Sequence, residues 1–160
     1  MATITKLGRQ DPANQLGSTP YGNVTAFRYI LTTNASGAVI GGDSTAAVAS
    51  GDTVKIGLLP AGFRLIDSEI VVKTGLTATI TAKVGFAYAD GVDSTAVPQD
   101  DDFFGTGITV ATAGRYRNAT SNTSVALPKE AWLTLTTAVA ANAKASELEI
   151  IVFAINEGVV

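Results

Sequence analysis

The chain is 160 residues long, carries a formal charge of -3 at pH 7, and contains neither cysteine nor histidine. Without cysteine there are no disulfides or thiolate–metal sites; without histidine the usual general base, zinc ligand and near-neutral titrating group are missing. The eleven Lys and Arg residues are scattered singly along an acidic chain, unlike the clustered cations that a nucleic-acid surface requires.

Residues 1–22 carry turn formers and little periodicity, in Gly8-Arg9-Gln10-Asp11-Pro12 and in Gly17-Ser18-Thr19-Pro20-Tyr21-Gly22. They are predicted to form an extended N-terminal arm, either a plain chain end or a segment that orders on a neighbouring subunit. In the second case Arg9, Gln10 and Tyr21 are candidate contacts. Residues 23–160 are predicted to form one domain, with a period of two. Val24 to Leu31 is a strand by its β-branched and aromatic content. Residues 32–52, rich in Ser, Thr, Ala and Gly, are expected to be a long loop or a weak hairpin. Thr53 to Leu59 alternates, with Val54, Ile56 and Leu58 on one face, before a turn at Pro60-Ala61-Gly62. In the next segment Ile66, Ile70 and Val72 oppose Asp67, Glu69 and Lys73.

Thr79 to Tyr88 is the clearest strand. Ile80, Ala82, Val84, Phe86 and Tyr88 alternate with Thr79, Thr81, Lys83, Gly85 and Ala87, as in a sheet with one wet face. An acidic loop is expected as far as Asp102, then a strand from Phe103 to Ala111 weakened by Gly105 and Gly107. A polar loop is expected over 112–124. Val125 to Leu127 and Trp132 to Thr136 read as short strands, with Trp132 in the core, and Ala138 to Ala145 as a loop. The last strand, Glu147 to Ile155, turns Leu148, Ile150, Val152 and Ala154 to one side. Ile151, Phe153 and Ile155 make its other side apolar enough to be covered as well.

Seven to nine strands with no amphipathic helix imply a sandwich or a barrel, and an eight-stranded jelly roll fits the length best. The expected fold is all-β: an antiparallel, jelly-roll-like β-sandwich with an extended N-terminal arm. Charged residues are 16% of the chain, against about 25% in an average soluble domain. A surface of small neutral residues is poorly defended against association, which suits a subunit of an assembly. Met1 to Thr5 lacks a basic or apolar leader region, so no signal peptide is expected. No apolar run reaches the roughly 18 residues of a membrane-spanning helix.

Few residues suggest chemistry. Asp100, Asp101 and Asp102, with Asp90 and Asp93 nearby, form the densest acidic patch, and these three are the first place to look for a metal. Their spacing matches neither an EF-hand nor a glycine-rich calcium repeat, so a solvated acidic loop is the expected role and no cofactor is expected. Arg115-Tyr116-Arg117 sets two cations around an aromatic ring. On an acidic protein this favours contact with a neighbouring subunit or a carboxylate over ligand binding. Asp67, Glu69, Glu147 and Glu149 stand on polar strand faces, where solvated charge outweighs paired acid catalysis. Gly105-Thr106-Gly107 is too short for a dinucleotide fingerprint and reads as a bulge. No catalytic residue is expected, and the chain is not expected to be an enzyme. A carbohydrate-binding sandwich stays open, on the strength of Tyr116, Trp132 and the acidic loop.

Lys55-Ile56-Gly57-Leu58-Leu59-Pro60-Ala61-Gly62, Val84-Gly85-Phe86-Ala87-Tyr88-Ala89-Asp90-Gly91 and Leu127-Pro128-Lys129-Glu130-Ala131-Trp132-Leu133-Thr134-Leu135 together resemble small head proteins of tailed bacteriophages, encoded beside the major capsid protein. The likeness spans roughly residues 53–155. It implies a β-sandwich decoration or cement protein that binds the outside of the shell and stabilises it, with the major capsid protein as partner. It also implies a homo-oligomer, with a trimer favoured, located on the virion after synthesis in the host cytoplasm. Neither nucleic acid nor a membrane is an expected partner. A tail or neck component is the nearest alternative.

Overall fold

The period-two alternation becomes ten β-strands in the computed structural model, which describes residues 1–5, 24–117 and 119–158. In chain order these are β1 (Thr3–Thr5), β2 (Val24–Thr33), β3 (Thr53–Leu59), β4 (Phe63–Thr74), β5 (Thr81–Tyr88), β6 (Asp100–Ile108), β7 (Gly114–Arg117), β8 (Val125–Ala126), β9 (Ala131–Ala138) and β10 (Ser146–Asn156). Among the described residues there is no helix. One sheet has the order β1-β3-β9-β5-β6, and the other β2-β10-β4-β7 with β8 also on β4. All pairings are antiparallel except β1 with β3.

The two sheets bury their inner faces in one core. β10 supplies Leu148, Ile150, Val152 and Ala154, β2 supplies Phe27, Tyr29 and Leu31, and β5 supplies Val84, Phe86 and Tyr88. Burying each large side chain of this kind contributes about 1.5–3 kcal/mol. Tyr29 also ties the sheets directly, donating its hydroxyl to the Leu58 carbonyl at 2.6 Å. The fold is therefore the expected all-β sandwich.

Two bulges reverse the predicted phase. Lys55 pairs with Thr134 and Gly57 with Leu133, so Ile56 is an extra residue and Leu59, not Leu58, turns inward. On β4, Asp67 pairs with Phe153 and Leu65 with Ala154, which leaves Ile66 as the extra residue. Ile66 is consequently 37% exposed, and Leu65 and Ser68 take the core positions. Period-two reading carries no signal for an inserted residue. Further corrections are local. Thr79 has φ of +73°, so the strand expected from Thr79 begins at Thr81. The polar loop expected over 112–124 contains β7, and the acidic loop expected up to Asp102 ends where β6 begins, at Asp100. Trp132 is half-buried on the outer face, with Lys55 Nζ 5.8 Å from its ring centre.

The first residues of the segment expected to be an arm form β1. Thr3, Ile4 and Thr5 pair in parallel with Thr53, Val54 and Lys55, and Ile4 is 2% exposed in the core. Asp52 and Asp43 hold this strand. The Asp52 carboxylate accepts hydrogen bonds from Ala2 N at 2.7 Å and Ala49 N at 2.9 Å, and Asp43 accepts from Thr5 N at 2.8 Å. Asn142, only 1% exposed, ties the loop between β9 and β10 to the end of β2 and to the loop between β4 and β5. Its amide donates to Thr33 Oγ1 at 3.0 Å and the Lys144 carbonyl at 2.9 Å, while its oxygen accepts from Thr77 N at 3.0 Å.

Candidate functional site

The pairing of β5 with β6, at the edge of the β1-β3-β9-β5-β6 sheet, is irregular at two points. Ala82 of β5 faces Ile108 of β6, but Lys83 then spans both Thr106 and Gly107 before Val84 meets Gly105. A larger interruption follows, where Gly85 alone faces Asp101 to Phe104 before Phe86 meets Asp100. The surplus backbone lies across Gly85. A Cβ built there would fall 2.1 Å from the Asp100 carbonyl oxygen and 2.7 Å from Asp102 N. Meanwhile the consecutive rings of Phe103 and Phe104 are both buried, and Phe103 packs edge-on against Phe86 at 5.5 Å. Their burial anchors the irregular end of β6.

On a regular strand, neighbouring side chains point to opposite faces. Here the irregularity cancels that separation, and one carboxylate oxygen from each of Asp100, Asp101 and Asp102 lies within 4.8 Å of the others. Lys83 forms an ion pair with Asp101. Asn122 donates to Asp100 Oδ2 at 3.3 Å and to the Phe103 carbonyl at 3.1 Å. Burial, followed by contact with the Asp102 carboxylate, pushes the Asp100 carboxyl above its ordinary value. Asp90 and Asp93, close in sequence, do not join the group. Lys129 engages Asp90 at 2.7 Å and holds its carboxyl below the usual range. Asp93 accepts from Gln99 N at 2.7 Å.

Thr134 of β9 is the register partner of Gly85 on one side and of Lys55 on the other. It occupies an outward position yet is 2% exposed. Its hydroxyl has no hydrogen-bond partner among the described residues, whereas the next outward threonine, Thr136, pairs with Thr53 Oγ1 at 2.8 Å. Thr134, Gln99, Asp100 and Asp101 line one open cleft of about 580 Å³. Neither Gly85 nor Thr134 stood out in the sequence. The one available signal was a residue without a side chain on the wet face of the clearest strand.

The other predicted contact residues are distributed differently. Arg9, Gln10 and Tyr21 lie outside the described residues. The strand period of β7 splits Arg115-Tyr116-Arg117: Arg115 and Arg117 are exposed, while Tyr116 packs against the core and donates its hydroxyl to the Thr112 carbonyl at 3.0 Å. Arg115 pairs with Glu69 at 2.8 Å. Two further ion pairs cross the same outer face, Lys73 with Glu147 at 2.7 Å and Arg28 with Glu149. Beside them on β10, Ile151, Phe153 and Ile155 are half-buried, so that face is only partly covered. Tyr116 and Trp132 belong to different sheets and form no shared aromatic platform.

No protein-family model matches the chain, and neither does any curated protein. Solved structures do match its fold. The chain is similar to one from the capsid of Ralstonia phage GP4, at 19% identity and a TM-score of 0.68, over 99% of this chain and 100% of that one. It is also similar to a chain of the cyanophage Pam1 capsid asymmetric unit, at 16% identity and a TM-score of 0.59, over 88% and 91% of the two chains.

Proposed function

We propose that this chain is a non-catalytic structural protein of a phage particle that binds the outside of the capsid shell and stabilises it. The observation that carries the reading is the likeness in fold to a chain of the Ralstonia phage GP4 capsid, which covers 99% of this chain and 100% of that one. Surface chemistry agrees with it. A low charge density and a half-covered apolar strip on β10 beside paired charges suit contact with the major capsid protein or with further copies of the chain; a trimer is the assembly that the resemblance of the sequence to phage head proteins implies. A protein that bridges neighbours in a lattice gains avidity from many modest contacts. Because it binds assembled shell and not dissociated subunits, it stabilises the shell by mass action.

Quantitative mass spectrometry of purified particles tests this proposal. A fixed ratio of this chain to the most abundant shell protein is the expected result. A few copies per particle would transfer the role to a tail or neck component, and absence from particles would overturn the structural reading.

A further inference from the structure

We propose that Asp100, Asp101, Asp102 and the Thr134 hydroxyl form a binding site for a divalent cation of the calcium class on the outer face of the sheet that contains β5 and β9. Two independent observations meet there. The first is the convergence of three consecutive carboxylates, each with an oxygen within 4.8 Å of the others, at a point where a regular strand would hold them apart. Lys83 engages Asp101, so one ammonium faces three carboxylates. Asp100 and Asp102 are left against each other without a cation between them among the described residues.

The second observation is the Thr134 hydroxyl, in a residue 2% exposed and without a hydrogen-bond partner among the described residues. Buried hydroxyls nearly always have a partner, because an unmade bond there forfeits the lost hydration. Thr134 lines the same cleft as Asp100 and Asp101, and it pairs in register with Gly85, over which the Asp100–Asp102 backbone passes. A cation at the cluster gives this oxygen a role as a ligand and neutralises the surplus carboxylate charge. The oxygen-only donor set is hard, and its irregular geometry suits calcium, which accepts six to eight ligands flexibly, better than magnesium, which requires a near-ideal octahedron. Gln99 also lines the cleft, and water completes the shell.

This inference does not depend on shell binding, and its test uses the isolated full-length chain. After treatment with a chelator and exchange into metal-free buffer, the protein is titrated with calcium chloride by calorimetry. In parallel, terbium luminescence is excited through Trp132, the single tryptophan, two positions from Thr134 on β9. One saturable site is expected. Asp102→Asn should weaken it by roughly tenfold or more through loss of a charged ligand. Thr134→Val should weaken it several-fold while leaving the metal-free melting temperature equal or higher, because it removes only an unpartnered hydroxyl. That second variant separates a lost ligand from a damaged fold. No binding up to about 10 mM calcium would overturn the proposal, since that exceeds the weak end of protein calcium sites. Binding that survives either substitution at full strength would overturn it too.

Discussion

The carbonyl oxygen of Asp100 occupies the space that a side chain on Gly85 would need: a Cβ at Gly85 would lie 2.1 Å from it. This close approach lets the first residues of β6 cross the outer face of β5 at Gly85, the register partner of Thr134, and brings three carboxylates together. Replacing Gly85 with alanine should therefore displace backbone, which cannot yield as a flexible side chain can. The expected loss is about 3 kcal/mol or more, the upper part of the range for overpacking. Chemical denaturation measures it, and a variant as stable as the parent would show that the crossing is not rigid.

Asp52 offers a test of how β1 is held. Its carboxylate accepts from Ala2 N and Ala49 N, and Thr53 N donates to the Ala2 carbonyl at 3.1 Å. Asp52→Ala should cost about 1–3 kcal/mol, as expected for leaving partners of a buried acceptor unsatisfied. Amide exchange should report the change unevenly. Protection at Ile4 and Thr5 should fall steeply while the β10 amides, deep in the other sheet, follow only the global loss. Equal losses in both places would mean that β1 unfolds only with the whole domain.

Asn142 carries a different kind of stability, because it connects chain segments that no strand pairing joins. Its side chain meets Thr33, Thr77 and Lys144, and Gly37 approaches so closely that a Cβ there would sit 2.1 Å from the Asn142 carbonyl oxygen. Asn142→Ala removes both halves of the amide and should cost about 2–4 kcal/mol, several lost bonds leaving buried groups unpaired. Asn142→Asp keeps the acceptor for Thr77 N but loses the donors to Thr33 Oγ1 and the Lys144 carbonyl. Similar losses in both variants would assign the energy to the donor side of the amide.

The strands were legible in the sequence wherever alternation ran unbroken, as along β5 and β10, because burial of one sheet face imposes period two on the residues. It failed at the bulges. Ile66 was expected inside and is exposed, and Leu58 exchanged places with Leu59, since one inserted residue inverts every side chain beyond it. Ile66→Thr should accordingly change stability by about 0.5 kcal/mol or less, whereas Ile70→Ala, four residues on, should cost about 2–5 kcal/mol. Of the candidate cation site, the three aspartates were visible as an acidic run. Thr134 was not, because its proximity depends on the pairing of β9 with β5 and on the crossing over Gly85, both set by tertiary structure.

Asp100 and Glu149 should give opposite pH signatures. Burial and Asp102 raise Asp100 above its ordinary 3.8, with Asp101 adding in the same direction and Lys83 neighbouring the group. A raised value means that the folded state holds the proton more tightly than the unfolded chain. The resulting stability is complete below the ordinary value and is lost as pH rises through the folded one. At neutral pH the ionised group therefore works against the fold. Asp100→Asn, in chelator, should raise the melting temperature at neutral pH, with the gain vanishing by about pH 3. Glu149 is the reverse case: its hydrogen bond from Arg28 lowers it below 4.5, so its contribution is present above that value and is lost as pH falls through the folded one. Glu149→Gln should lower the melting temperature at neutral pH and approach the parent in acid. Melting curves across the acid range separate the two. Parallel behaviour of the variants would mean that the Asp100 cluster does not strain the metal-free protein.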